Sequence, residues 1–110
     1  MTLFHTVFLQ FKADTDADKI KDACARFVEL RNQCIHPTSN SPYLLSLKAG
    51  KDHSEAGLQD GITHGFVLEF SSTEDRDYYM SRDPAHSAFE KVIGELISKV
   101  IVVDFTDGVF

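Results

Sequence analysis

Histidine is the side chain best suited to proton transfer near neutral pH, and this chain of 110 residues has five. His86 is the strongest candidate for a general base. It follows Pro84 and Ala85 in the first turn of a predicted helix, and it lies on the apolar face of that helix with Phe89. Burial and the positive end of the helix both disfavour the imidazolium, so the ring should stay neutral. The alternative is a structural residue that bonds the preceding loop.

Two further kinds of side chain could assist such a base. Tyr79 lies shortly before His86, and its hydroxyl could bind an enolate oxygen or orient the base. The alternative for Tyr79 is an amphipathic ring that is half in the core. His5 and His64 lie within apolar strands, where a histidine is more often a core residue satisfied by a hydrogen bond.

Other chemistries lack a matching motif. There is no glycine-rich phosphate loop before a helix, no Cys/His cluster at zinc spacing, and no serine nucleophile on a strand-turn-helix. The formal net charge of −6 and the sequence pI of about 5.2 disfavour nucleic acid and anionic membranes as partners. We therefore expect no cofactor, no metal, no nucleic acid and no membrane.

The elements that must position these residues follow one another as β-α-β-β-α-β. Apolar periodicity and turn residues predict strands over residues 3–12, 43–49, 62–71 and 99–105, and helices over residues 16–35 and 73–81, followed by a helix with Asp83 as its N-cap. This order is the ferredoxin-like plait, an α+β fold. The length fits one domain over residues 1–110.

The strands are apolar on both faces, which predicts an assembly. In the first strand Val7 and Leu9 share one face, and Phe4 and Phe8 share the other. Helices on one side would leave a large apolar patch on a monomer. Pairing two sheets in a homodimer would bury it. A polar substitution at Val102 or Val103 should promote dissociation; which of these side chains faces the partner is open at this point.

The two cysteines and the N-terminus indicate the compartment. Cys24 and Cys34 fall on one predicted helix, about 15 Å apart along its axis, which is too far for a disulfide. We expect buried free thiols in a reducing compartment. The first five residues lack the basic region of a signal peptide, and no apolar run approaches a membrane span. The expected location is the cytosol.

Several stretches, taken in order, resemble the stress-responsive A/B-barrel family, also called dimeric α/β-barrel proteins. The resemblance covers almost the whole chain. It is carried by the stretches from His5 to Lys12, Gly50 to Gly57, Thr63 to Phe70, Asp75 to Tyr79, Asp83 to His86 and Val102 to Phe105.

The resemblance implies a homodimer whose sheets form a barrel, with a pocket between sheet and helices in each subunit. Most members have no assigned reaction and are described as stress-related. The best-understood enzyme of the family is a plant polyketide cyclase that closes its substrate by an intramolecular aldol step. Its base corresponds to His86, its strand-one histidine to His5 and its tyrosine to Tyr79. The number of residues between Tyr79 and Pro84 is one greater than in the cyclase, which leaves Tyr78 as an alternative match for the tyrosine. Phe27 stands where the cyclase pocket has another tyrosine.

These considerations favour a cofactor-free lyase or cyclase that acts on a polyketide-like β-dicarbonyl substrate. The catalytic residues would be His86, Tyr79 and His5. The expected substrate contacts are Phe27, Val7, Leu9, Phe89 and His64. The alternative is a non-enzymatic, dimeric, stress-related protein that binds an apolar or aromatic small molecule. A third and weaker alternative is a cofactor-free monooxygenase, because related dimeric barrels include such enzymes.

Overall fold

Seven elements form a four-stranded sheet with three helices. The computed structural model describes residues 2–110, so Met1, part of the N-terminal stretch considered above, lies outside them. The elements are β1 Leu3–Phe11, α1 Ala17–Gln33, β2 Ser46–Lys51, β3 His64–Phe70, α2 Thr73–Ser81, α3 Pro84–Ile93 and β4 Ile97–Phe105. The predicted α+β ferredoxin-like plait is confirmed, with α2 and α3 as separate short helices.

The sheet is antiparallel and has the strand order β2-β3-β1-β4. In this register Val7 of β1 lies opposite Phe66 of β3 and Val102 of β4. The register is strongly specified, because a slip by one residue would turn the apolar side chains of β1 to the other face. Strand β2 begins three residues later than predicted, since Tyr43 and Leu44 enter the core as irregular chain before it.

The N-terminus of α1 differs in detail from the prediction. Helix α1 begins at Ala17, one residue later than predicted, because Thr15 and Asp16 both suit an N-cap and Asp16 takes that place: its carboxylate accepts a hydrogen bond from the backbone N–H of Asp18 (3.0 Å). The hydroxyl of Thr15 instead donates to the Leu96 carbonyl oxygen (3.5 Å). Asp is as good an N-cap as Thr, so pattern alone does not choose between them.

All three helices pack on one face of the sheet. Phe27 of α1 stacks on Phe66 of β3, with ring centroids 4.0 Å apart. Tyr79 of α2 contacts Phe70, also of β3, at 5.2 Å. Phe89 of α3 reaches Phe27 at 5.0 Å. These rings are buried and form the centre of the core.

The opposite face of the sheet is bare and apolar. Phe4 and Phe105 stack there, with centroids 5.4 Å apart. The register places Val103 and Ile101 beside them, and Val103 remains 51% exposed. Val102 lies opposite Val7 and so belongs to the helix-covered side. Of the two valines left open above, it is therefore Val103 that faces away from the helices.

Both cysteines are free thiols. Cys34 is fully buried and directly follows α1, while Cys24 is only partly buried. The expectation of two unpaired thiols is confirmed, but Cys24 is more accessible than expected. Burial raises the pKa of both thiols. Among residues 2–110, no helix has the length and apolarity needed to cross a membrane.

Helix α3 begins at a buried carboxylate. Asp83 is 2% exposed, and its Oδ1 accepts hydrogen bonds from the backbone N–H groups of Ala85 (2.9 Å) and His86 (3.4 Å). Its Oδ2 accepts a hydrogen bond from the hydroxyl of Tyr43 (2.6 Å). One side chain thus fixes the first turn of α3 and the chain that leads into β2.

We expect Asp83→Ala to destabilise the protein by about 2–4 kcal/mol, because it removes the cap and leaves a buried hydroxyl unpaired. Tyr43→Phe should cost about 1 kcal/mol, since the carboxylate keeps its two N–H donors. Urea unfolding of both variants measures the difference. Equal losses of unfolding free energy in Asp83→Ala and Tyr43→Phe would contradict the role of Asp83 as the cap of α3.

Candidate functional site

His86 lies at the buried start of α3. Its ring stacks on the ring of Tyr79, with centroids 4.0 Å apart and 25° between the planes. Its Nδ1 is 2.9 Å from the backbone carbonyl oxygen of Tyr79. The carboxylate of Glu90, one turn further along α3, lies 3.5 Å from the same nitrogen. The residue is 8% exposed.

This geometry fixes the proton on the His86 ring. A carbonyl oxygen can only accept, so Nδ1 donates, and in the neutral ring Nε2 keeps its lone pair. Burial lowers the pKa of His86 below its ordinary value of 6.5, although Glu90 and the Tyr79 carbonyl oppose the shift. His86 is therefore a neutral imidazole at neutral pH, with a basic nitrogen at Nε2.

A second imidazole is held in the same way on the central strand. His5 is 2% exposed, and its Nδ1 lies 2.7 Å from Oδ1 of Asp104 on β4. Arg76 of α2 binds the other carboxylate oxygen at 2.8 Å. The ring of His5 meets the ring of Tyr79 edge-on, with centroids 5.9 Å apart. Tyr79 therefore lies against both histidines.

Tyr79, and not Tyr78, is the tyrosine that points inward. Tyr79 is 1% exposed, whereas Tyr78 packs at the surface against Tyr43 and Arg82. It is the Tyr79 ring and backbone carbonyl that contact His86; the expected role of its hydroxyl stays a prediction. Burial raises the pKa of Tyr79, so the phenol is protonated.

The residues expected to contact substrate fall into two groups. Val7, Leu9 and Phe27 lie in the closed core. Phe89 lies in the core as well, but it also lines a surface groove of about 540 Å³ between α1 and α3. His64 lines a different cleft, described next. The structure thus brings His86, Tyr79 and His5 together and keeps His64 apart from them.

The second cleft lies between α1 and the β2–β3 edge of the sheet. Its volume is about 580 Å³. The side chains that line it are mostly apolar and include His64, Phe66 and Cys24. The stacked pair Phe27 and Phe66 separates this cleft from the core around His86.

The sequence did not single out the charged partners of the cluster. Asp104 is the one charged residue in an otherwise apolar run from Val100 to Phe105, and that break could have identified it. Arg76 gave no such signal, because charged residues are ordinary on helix surfaces, and Asp83 was predicted only as the N-cap of the last helix. Among residues 2–110, no three His, Cys, Asp or Glu side chains are grouped as metal ligands would be.

The order of the elements and the antiparallel four-stranded sheet define an α+β domain of the ferredoxin-like class. The model of the stress responsive A/B barrel domain matches residues 3–107, and the chain belongs to that family.

Three curated relatives are similar in sequence. A stress-response A/B barrel domain-containing protein of Arabidopsis thaliana is 30% identical over 101 residues, covering 92% of this chain and 85% of the relative. Olivetolic acid cyclase of Cannabis sativa is 27% identical over 106 residues, with 96% and 97% covered. A fusaristatin A biosynthesis cluster protein of Gibberella zeae is 37% identical over 92 residues; the match covers 83% of this chain and only 61% of that relative.

Two solved structures share the fold. Hydroxynitrile lyase from Passiflora edulis superimposes with a TM-score of 0.83 at 23% identity, over 99% of this chain and 96% of the lyase. A dimeric ferredoxin-like protein from Jannaschia superimposes with a TM-score of 0.76 at 20% identity, over 96% and 99% of the two chains. At these identities the likeness establishes the fold.

The lowered pKa of His86 predicts a pH-dependent stability. Below pH 6.5 the unfolded chain binds a proton that buried His86 does not, so stability is full above that pH and falls as the pH drops toward the folded-state pKa. His64, whose pKa burial also lowers, should add to the effect.

We expect His86→Gln to reduce the slope of unfolding free energy against pH by up to about 1.4 kcal/mol per pH unit. Urea unfolding at pH 5.5 and pH 7.0 measures the slope. His53→Gln, at an exposed loop position, is the control and should keep the wild-type slope. A wild-type slope in His86→Gln would show that His86 is not held neutral.

Proposed function

We propose that this protein is a cofactor-free lyase or cyclase in which His86 is the general base. The observation that carries the proposal is the contact between Nδ1 of His86 and the carbonyl oxygen of Tyr79 (2.9 Å), which assigns the ring proton to Nδ1 and leaves Nε2 as the base. The lowered pKa keeps that nitrogen unprotonated at neutral pH.

His5 and Asp104 support the proposal as a second acid–base pair. The carboxylate accepts from Nδ1 of His5, as in other His–Asp pairs that orient an imidazole, and Arg76 holds the carboxylate in place. Both histidines lie against Tyr79, so a substrate that displaced part of this packing would meet two imidazoles. Nε2 of His86 would take a proton, and the hydroxyl of Tyr79 would donate a hydrogen bond to a developing oxyanion.

The reaction that suits such a pair begins at a carbon between two carbonyl groups. Nε2 of His86 removes a proton from that carbon, which gives an enolate and an imidazolium. The enolate carbon then bonds to a more distant carbonyl carbon of the same molecule, and the resulting alkoxide takes the proton back from the imidazolium. A polyketide-like β-dicarbonyl compound is the proposed substrate class. The names of two similar proteins, a cyclase and a hydroxynitrile lyase, support this reaction type.

The main alternative is a non-enzymatic protein that binds an apolar or aromatic small molecule. The stacking of the Tyr79 ring on the buried ring of His86 favours it, because Tyr79 occupies space beside the imidazole that a substrate would need. In that case His86 and His5 are structural, and their hydrogen bonds satisfy polar rings inside the core.

We also propose that the protein is a cytosolic homodimer paired through the bare face of the sheet. The exposed side chains of Ile101, Val103 and Phe105 make this face apolar, and the Jannaschia protein of the same fold is described as dimeric. A twofold pairing would cover the same patch on both copies. The free thiols of Cys24 and Cys34 suit a reducing compartment.

The catalytic proposal predicts that His86→Gln lowers turnover of β-keto thioesters by at least about 100-fold, the range for loss of a general base. Asp104→Asn should lower turnover as well, because it no longer fixes the tautomer of His5. Product formation followed by liquid chromatography measures both effects. Glu90→Gln is the control, and it should retain most of the activity because Nδ1 keeps its bond to the Tyr79 carbonyl oxygen.

Thermal melts separate the two alternatives. A general base contributes mainly to turnover, so His86→Gln should stay folded. A large loss of stability, together with no turnover by either protein across a panel of β-keto thioesters, would exclude the enzymatic role of His86.

The dimer proposal predicts that Val103→Asp shifts the sedimentation coefficient to that of a monomer, because it places a charge in the apolar interface. The wild type should sediment at about twice the chain mass of 12.3 kDa at micromolar concentration. Leu58→Asp, at an 84% exposed loop position, should leave the wild type's mass unchanged. A monomeric wild type would contradict the proposed pairing.

A further inference from the structure

The cleft between α1 and the β2–β3 edge has a consistent chemical character. Ile20, Val28, Ala49 and Phe66 give it apolar walls. The rim carries Lys21 and Lys51 together with His64, and no Asp or Glu lines the cleft. The lack of acidic side chains in the cleft marks it as locally cationic in an acidic protein, because the chain has 17 Asp and Glu residues against 11 Lys and Arg.

A smaller depression of about 380 Å³ adjoins this cleft and extends its cationic rim. The two share Ile20, Lys21, Lys51 and His64, and the depression adds Lys12. It too is lined by no acidic side chain. Lys21 and Lys51 therefore line the apolar cleft itself, and Lys12 extends the cationic rim into the adjoining depression.

These three ammonium groups have no ion-pair partner among residues 2–110. By contrast, Lys99 pairs with Asp60 at 2.6 Å, and Arg26 pairs with Asp22 at 3.0 Å. Unpaired ammonium groups of like charge next to an apolar wall are complementary to an anion attached to an apolar body. The Lys51 charge also reaches His64, where it adds to the effect of burial and lowers the pKa of His64 further.

His64 at the same rim is neutral and held in one orientation. The hydroxyl of Thr63 donates to the Leu9 carbonyl oxygen (3.3 Å), so it accepts from Nδ1 of His64 (2.8 Å). Nε2 of His64 therefore carries a lone pair and cannot donate to a carboxylate, which leaves the lysines as the charged partners of an anion; the ring is further fixed by edge-on contact with Phe11 at 5.2 Å.

We propose that the α1–β3 cleft binds a small amphipathic carboxylate, with its apolar body against Phe66 and Val28 and its carboxylate among Lys12, Lys21 and Lys51. A volume of about 580 Å³ fits a molecule with a medium-length acyl chain or one aromatic ring. The site is separate from the His86 cluster, from which the Phe27–Phe66 stack divides it.

The test compares octanoate, 1-octanol and acetate by chemical-shift titration of the backbone amides of Ala25, Ala49 and Gly50, which line the cleft. Octanoate should shift these amides in a saturable way and bind most tightly. Octanol, which lacks the charge, should bind several-fold more weakly, and acetate should not saturate. Equal affinity for octanoate and octanol, or shifts located elsewhere, would overturn the proposal.

Lysine variants test the charge. Lys21→Met and Lys51→Met should each weaken octanoate binding roughly two- to fivefold and leave octanol binding unchanged. Lys91→Met, an exposed lysine on α3 outside the cleft, is the matched control and should bind like wild type. Unchanged octanoate affinity in both Lys21→Met and Lys51→Met would contradict the proposed contact between these lysines and the carboxylate.

A variant of the apolar wall and a thiol assay complete the test. Val28→Glu should abolish octanoate binding; Val28 is 43% exposed, so the fold should persist. Octanoate should slow alkylation of Cys24 by N-ethylmaleimide, with buried Cys34 as the internal reference. His86→Gln should bind octanoate normally, so failure of the proposed reaction and failure of this site give different results.

Discussion

The carboxylate of Asp83 holds together the part of the structure on which the site depends. It is buried, which is costly for an anion, and three donors compensate for that cost: two backbone N–H groups of α3 and the hydroxyl of Tyr43. The backbone N–H of Asp83 also bonds the carbonyl oxygen of Tyr78 (2.9 Å), which ties the end of α2 to the start of α3. Because His86 lies three residues after Asp83, the position of its ring follows from this cap.

One rule describes three of the histidines. In each, Nδ1 is directed at an oxygen: the Tyr79 carbonyl for His86, the Asp104 carboxylate for His5 and the Thr63 hydroxyl for His64. The first two oxygens can only accept, and the third already donates elsewhere, so Nδ1 carries the proton in the neutral ring. Each Nε2 is left as the chemically available nitrogen. The backbone and its polar neighbours thus prepare the rings before any ligand arrives.

The sequence predicted the fold well because the fold depends on local patterns. Alternation placed Val7 and Leu9 on the covered face of β1, and the Asp83-Pro84 pair marked the start of α3 to the residue. The site was less predictable because it depends on pairings between distant residues. His5 and Asp104 are 99 positions apart, and only the antiparallel register of β1 and β4 brings them together. The separation of His64 from His5 likewise follows from the register of β1 and β3, which places His64 opposite Leu9 and His5 opposite Leu68.

The aromatic rings that make His86 a useful base also close it off. Burial by these side chains lowers the pKa of His86, and the same burial leaves the residue 8% exposed. A substrate must therefore replace ring–ring contacts, each of which contributes about 0.5–1.5 kcal/mol beyond the area that it buries. A polar substrate would not restore that energy, whereas an apolar or aromatic one would restore most of it and would keep water away from Nε2. The packing of Tyr79 against His86, and of Phe70 and His5 against Tyr79, thus favours apolar ligands without any specific contact.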